Sequence, residues 1–430
     1  MIGFFFAFYH IFLEPILCHF NLVAPGFGDP TYGREKLPYS KAELRIIHDN
    51  PEVTVIRRKV PLYDTHTGQA GKRQWSWVSY NIWVMEDVEA REGLHSDVVL
   101  VHGLNDYAGK LAPHAHHFMK RGFRIIAIDL PSFGRSTGLH AHVPSMRINV
   151  SAMHAVIMDV RKWDLERDPS GLADRERKLF AEGHSMGAFT VLYYAALYSP
   201  IREESNGHPS QELESTPDSP SPYRPHLSGV AVAAPMISIS PESRPGPVVE
   251  YIAKAICFFS GRLPFAKAIR GNVSDDPRVE EEFMRDPQTY KGLLRISTGL
   301  AVLYGIQELE ALAPKITCPL AIHHGSNDRA TSPKGSEEFF RKVGTAEAEK
   351  MLKIWEGYEH VMMKNVEGMS QEDEERRDVI LRDINVTHFS TNTQKKTQTQ
   401  TNKTKHTNIR TFECLSYNRQ TGWYNRQRGT

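Results

Sequence analysis

The chain is poor in the residues that would let covalent or metal cross-links organise it. Only four of its 430 residues are cysteine (Cys18, Cys257, Cys318 and Cys414), far apart and never in a CxxC pair. A zinc ribbon or a disulfide framework is thereby excluded as the organising principle, and the thiols read as free groups. Excess charge is lacking too: 52 lysines and arginines face 51 aspartates and glutamates, a net charge of +1. That balance gives no global electrostatic reason to bind nucleic acid. An uninterrupted apolar run of the roughly 20 residues that a spanning helix needs is also missing. Residues 1–13 are uncharged and dense in phenylalanine, but Glu14 and Pro15 break the run, and the first basic residue is Arg34. Two readings of this start stay open, an interfacial or signal anchor and a buried extension, so the chain is expected to be cytoplasmic or peripherally membrane-associated.

What is present is an ordinary globular composition, 40% hydrophobic and 10% aromatic, in a length that allows two to three domains. Alternating residues between 52 and 86 (Val53, Val55, then Trp75, Trp77, Ser79, Asn81 and Trp83) predict a two-stranded hairpin turning at Asp64–Gly68. Six short apolar runs follow, at 97–103, 124–129, 179–183, 229–234, 320–325 and 351–355. Strands apolar on both faces and separated by helix-length segments imply a mostly parallel sheet flanked by helices, an α/β fold with the hairpin at one edge. Residues 1–49 form an N-terminal extension, and 50–237 with 314–388 form the core. The Ser/Pro/Glu-rich stretch 202–227 predicts a disordered insertion. Residues 238–313 break the strand–helix rhythm and predict an inserted helical cap with an apolar helix around Val249–Phe259. The polar tail 389–430 reads as disordered, with a nucleic-acid-binding arm as the lesser alternative; it holds eight basic residues against the single acidic Glu413.

Gly183-His184-Ser185-Met186-Gly187, between a strand and a helical run, carries the strongest chemical signal. A nucleophilic serine on so sharp a turn needs glycine on both sides, because side chains there would clash across it. The turn also aims the first amides of the next helix at a developing oxyanion, which makes the Met186 amide one candidate donor. The second comes from His102-Gly103-Leu104-Asn105-Asp106, a loop at an earlier strand end, where the Leu104 amide is the candidate. His102 itself reads as a structural residue of that loop. A serine needs a base, and the base an orienting acid, in the chain order Ser…Asp/Glu…His. Asp328 lies just past the run 320–325, and His360 follows 32 residues later, past the run 351–355. Glu242 and His388 are the weaker rivals for acid and base. No metal site is expected: His323 and His324 would point to opposite faces of a strand, and His114 with His117 lacks a third ligand. Every candidate lies beyond residue 100, so residues 1–30 are expected to be dispensable for the chemistry.

With these motifs in order, the sequence resembles the monoacylglycerol lipase and lysophospholipase branch of the serine α/β-hydrolases over roughly residues 50–370. The resemblance rests on His102-Gly103 with Asn105-Asp106, on Asp129 with Phe133-Gly134-Arg135-Ser136 and Gly138, on the Gly183–Gly187 elbow, on His324–Asp328, and on Gly357 with His360. It implies an esterase with a mobile cap that acts on a small lipid ester without cofactor. The same machinery also serves carboxylesterases, thioesterases and acyltransferases, and a non-catalytic ligand-binding member of the fold is a further alternative. Two departures stand out. Ala188 follows the elbow where relatives often have glycine. The first loop runs Leu104-Asn105-Asp106 where they commonly read His-Gly-x-Gly-Glu-His.

Overall fold

The computed structural model describes residues 2–62, 76–168, 170, 177–198, 225–266 and 272–384. The expected turn at 64–68, most of the insertion 202–227, His388 and the tail 389–430 lie outside the described residues.

The ten strands are β1 (Thr54–Pro61), β2 (Trp77–Val84), β3 (Ser96–Val101), β4 (Arg124–Ile128), β5 (Lys178–His184), β6 (Leu227–Ala233), β7 (Pro264–Ala266), β8 (Leu294–Arg295), β9 (Leu320–Gly325) and β10 (Lys350–Trp355). Eight of them form one sheet in the order β1-β2-β4-β3-β5-β6-β9-β10, while β7 and β8 pair as a separate ribbon. β1 runs antiparallel to β2, and β2 to β4; every other neighbouring pair in the large sheet is parallel. The six apolar runs are the six parallel strands, and the hairpin occupies one edge. Exposure follows position: every residue of β3 and β4 is buried, whereas edge strand β1 exposes Arg57, Lys59 and Pro61.

Helices cover the sheet because its faces are apolar. Helix Met146–Arg167 starts at Ser145, whose hydroxyl caps the Arg147 amide. It buries Val150, Met153 and Val156 with Leu192 and Val191 of helix Met186–Leu197, over Val99, Val101, Val230 and Ile322 of the sheet. Parallel strands place their C-terminal ends, and the loops after them, along one edge of this layer. Chemistry-bearing residues collect there.

The stretch 238–313 holds helices Pro247–Ser260, Pro277–Arg285 and Ile296–Leu312. The last of these buries Ala301, Val302 and Leu309 in the main core, so the structure that stands off the core ends ahead of it. In the first helix only Ala253 and Ser260 are buried, and Phe258 and Phe259 are 87% and 79% exposed. The N-terminal segment is built into the molecule. The buried carboxylate of Glu14 accepts from the Gly26 amide (2.7 Å), the Tyr32 hydroxyl (2.7 Å) and Arg262 (2.9 Å). Arg34, also buried, donates to the carbonyls of Gly134, Ser136 and Gly138 at 3.0, 2.5 and 2.8 Å. Among the described residues no helix is long and apolar enough to cross a membrane.

Candidate active site

Ser185 sits where β5 gives way to helix Met186–Leu197, at φ +56° and ψ −117°. A side chain there is strained and persists only when its surroundings over-determine it. The Ser185 amide donates to Ala233 O (3.1 Å), and its carbonyl accepts from Phe189 N (3.0 Å) and Met236 N (3.2 Å). The flanking glycines are steric requirements. A Cβ on Gly183 would lie 2.5 Å from the Gly187 carbonyl carbon, and one on Gly187 would lie 1.9 Å from Val101 O.

The loops after β9 and β10 bring Asp328 and His360 to this serine. His360 Nε2 lies 3.0 Å from Ser185 Oγ, and His360 Nδ1 lies 2.7 Å from Asp328 Oδ2. A carboxylate accepts only, so Nδ1 carries the imidazole proton and Nε2 is left to accept from the serine hydroxyl. Both side chains are buried beside the serine.

Asp328 has further donors, of which only His324 shared a sequence motif with it. Oδ1 accepts from the amides of Ala330 (2.7 Å) and Thr331 (2.8 Å). Oδ2 accepts from the Thr331 hydroxyl (2.8 Å) and from His324 Nε2 (3.1 Å). Burial alone would raise the Asp328 pKa, but the imidazoles of His360 and His324 outweigh it and hold the group far below the usual carboxylate range. His184, next to the serine, donates from Nε2 to the His360 carbonyl (2.8 Å) and so fixes the backbone of that loop. Burial and nearby His360 push its pKa down to about 4, which keeps this donor neutral. The sequence motifs contain His184 and His324 but assign them no supporting role. The only signal was their adjacency, His184 to Ser185 and His324 to the Asp328 loop.

Leu104 lies on the loop after β3, which passes so near the elbow that a Cβ on Gly103 would stand 3.5 Å from Ser185 Cβ. Met186 is the first residue of the helix that Ser185 caps. The two candidate amides therefore belong to the two chain segments that meet at the serine. His102 uses both ring nitrogens within the loop: Nδ1 donates to Gly103 O (2.8 Å), and Nε2 accepts from Leu130 N (3.0 Å). Glu242 is exposed and hydrogen-bonded to Ser240, while the imidazole Nδ1 is taken by Asp328. The cavity in front of Ser185 and His360 is walled by Leu104, Leu111, Pro113, Val279, Phe283, Val361 and Met363, with Ser40 and Ala42 of the N-terminal segment. Asp106 is a half-buried acid of this cavity. Desolvation, reinforced by Asp286 and opposed by Lys110, pushes its pKa up to about 6.

A mostly parallel sheet, a strained serine at a strand-to-helix elbow, and an imidazole and a carboxylate on later strand-end loops define an α/β-hydrolase. The sequence profile of the serine aminopeptidase S33 family matches residues 94–203 and 221–367, more than half of the chain, and the chain belongs to that family of serine hydrolases. A monoacylglycerol lipase of Mycolicibacterium smegmatis is 25% identical over 67% of this chain and 88% of its own length. An uncharacterised abhydrolase domain-containing protein of Dictyostelium discoideum is 24% identical over 61% of this chain, but the chain spans only 24% of that relative. Among solved structures, a soluble variant of the Saccharomyces cerevisiae monoglyceride lipase in complex with a substrate analog aligns with a TM-score of 0.53. It is 19% identical, over 76% of this chain and 98% of that one.

Proposed function

We propose that this chain hydrolyses carboxylic esters of monoacyl lipids, monoacylglycerols or lysophospholipids, through Ser185, His360 and Asp328. One observation carries the reading: the continuous line from Ser185 Oγ through His360 to Asp328, with contacts of 3.0 and 2.7 Å, opens into a cavity walled mainly by apolar side chains. The names of the relatives, monoacylglycerol lipase and monoglyceride lipase, point the same way. An apolar wall recognises an acyl chain, since each buried methylene contributes about 0.8 kcal/mol.

In this reading Ser185 Oγ attacks the ester carbonyl while His360 Nε2 takes its proton. Asp328 holds the imidazole and offsets its new charge. The amides of Leu104 and Met186 donate to the oxyanion. His360 then protonates the leaving alcohol, and the acyl group stays on Ser185. Water, activated by the same imidazole, attacks the acyl-enzyme and restores the serine. The inserted segment 238–295 selects the acyl chain. Peripheral contact with a lipid surface, through the exposed Phe258 and Phe259 and the phenylalanines of the N-terminal helix, supplies the substrate.

The test is a panel of monoacylglycerols, lysophospholipids, triacylglycerols, acyl thioesters and short p-nitrophenyl esters, with fluorophosphonate labelling of the serine. Monoacyl lipid esters should be turned over fastest. Ser185→Ala should abolish labelling and lower kcat by several orders of magnitude, as the comparable change in subtilisin does by about 10⁶-fold. A variant retaining more than about a tenth of the wild-type rate would place the nucleophile elsewhere.

A further inference from the structure

The loop between Gly103 and Lys110 is restrained from two sides. The sheet side fixes its ends. His102 donates to the Gly103 carbonyl at 2.8 Å, and Asp129 Oδ1 accepts from the Ala108 amide at 2.9 Å. The middle is held mainly by the inserted segment, with the Ser40 hydroxyl of the N-terminal segment also hydrogen-bonded to the Tyr107 hydroxyl. The Tyr290 amide donates to the Asn105 carbonyl (3.0 Å), and the fully buried Tyr107 hydroxyl donates to Asp286 Oδ2 (2.9 Å). Lys110 Nζ stands 3.4 Å from the same carboxylate oxygen. Asp286 ends helix Pro277–Arg285 and is itself immobilised, since its Oδ1 accepts from the Gln288 amide at 2.9 Å.

These outside restraints answer a local weakness. Asn105 holds φ +67°, in the left-handed region, and Asn is one of the few non-glycine residues that visit it. A loop containing such a residue does not keep its shape through local preference; neighbours must hold it. The residue immediately before it is Leu104, whose amide is the oxyanion donor of the proposed mechanism.

We propose that Asp286 is a positioning residue for the oxyanion loop, so that the inserted segment assembles the site as well as covering it. The inference rests on the reading of Leu104 as an oxyanion donor. Asp286 touches no reacting atom. It keeps Tyr107, and through it the 103–110 loop, in the conformation that aims the Leu104 amide. Loss of one oxyanion donor costs about 10²–10³-fold in kcat, and a loosened donor should cost part of that. The inserted segment would then couple substrate entry to chemistry, because the donor is aimed only while the segment is seated.

The experiment compares wild type with Asp286→Ala, Asp286→Asn and Tyr107→Phe. It uses a short water-soluble ester, which does not need the acyl-chain wall, and a trifluoromethyl ketone as mimic of the tetrahedral oxyanion. Asp286→Ala should lower kcat by about 10–100-fold while KM stays within about threefold. Affinity for the ketone should fall by the same factor as kcat/KM. Asp286→Asn keeps an acceptor for Tyr107 and should recover part of the loss. Tyr107→Phe removes one hydroxyl from an intact ring and should show a smaller kcat loss with an unchanged melting temperature. If Asp286→Ala does not fold, the other two variants decide. Wild-type kcat in both would overturn the positioning role, as would losses in KM and melting temperature that leave the ketone affinity untouched. Failure of the proposed serine-hydrolase function, on which the Leu104 reading itself depends, looks different: wild-type protein would then neither be labelled by a fluorophosphonate nor bind the ketone.

Discussion

Glu182 lies on β5 immediately before the elbow, and it is a sharp electrostatic liability. It is 2% exposed, and neither carboxylate oxygen has a hydrogen-bond partner among the described residues. Burial alone pushes its pKa from the ordinary value of 4.5 up to about 8. The unfolded chain loses this proton near the ordinary value, while the folded chain keeps it until about pH 8. Between those limits the unfolded state binds fewer protons, so stability falls as pH rises, by about 1.4 kcal/mol per pH unit. Below the lower limit both states are protonated and there is no penalty; above the upper limit both are ionised and the curve flattens. The whole interval corresponds to about 5 kcal/mol, of which about 3 kcal/mol falls between pH 5.5 and 8. Glu182→Gln keeps the shape and removes the titration. Urea unfolding at a series of pH values should give a stability difference between variant and wild type that grows by about 3 kcal/mol across that range. All other titrating groups cancel in the difference. Two parallel curves would refute the reasoning and show that the carboxylate is ionised and compensated in the folded protein.

The N-terminal segment and the exposed apolar side chains give two further expectations. Arg34→Ala leaves three carbonyls without their buried donor and should cost about 3 kcal/mol, lowering Tm by about 3–4 °C in a chain of this length. Arg34→Lys should not rescue it, because one ammonium does not reproduce a planar fork; an unchanged thermal melt in either variant would free this segment from a structural role. Replacing Phe258 and Phe259 together by serine should weaken binding to phosphatidylcholine vesicles by at least about 30-fold in co-sedimentation. Turnover of a soluble ester should stay within twofold, and undiminished vesicle binding would remove these side chains from the lipid contact.

The sheet was legible in the sequence because buried parallel strands read as uninterrupted apolar runs. No polar residue between Val98 and Val101, or between Ile125 and Ile128, disguises them. The elbow was legible for a steric reason, since two positions that exclude a Cβ leave glycine as the only choice. Contacts that depend on one long polar side chain reaching a distant segment were not legible. Arg34 bonds carbonyls about 100 residues away, and Asp286 meets Tyr107 from 179 residues away; nothing local distinguishes either from a solvated charge. The same limit explains the N-terminal segment. Its Phe-rich start left an anchor and a buried extension both open, and Glu14 is wholly buried beneath Arg262 of the inserted segment, a partner that no periodicity announces. Removing residues 1–30 would leave that arginine without its carboxylate, so the segment expected to be dispensable for chemistry is tied to the segment proposed to select the substrate. The end of that inserted segment was blurred for a different reason. Helix Ile296–Leu312 is mostly apolar over its first two turns and shows exposed polar residues, Gln307 and Glu310, only towards its end, because it is packed between the core helices and the segment ahead of it. An element whose polar face is this short carries little mark of which body it belongs to. Asn105 shows the converse case. Its departure from the glycine common in the resembling family looked like a doubt about the loop, whereas in the fold it marks where the inserted segment takes over the restraint of the backbone.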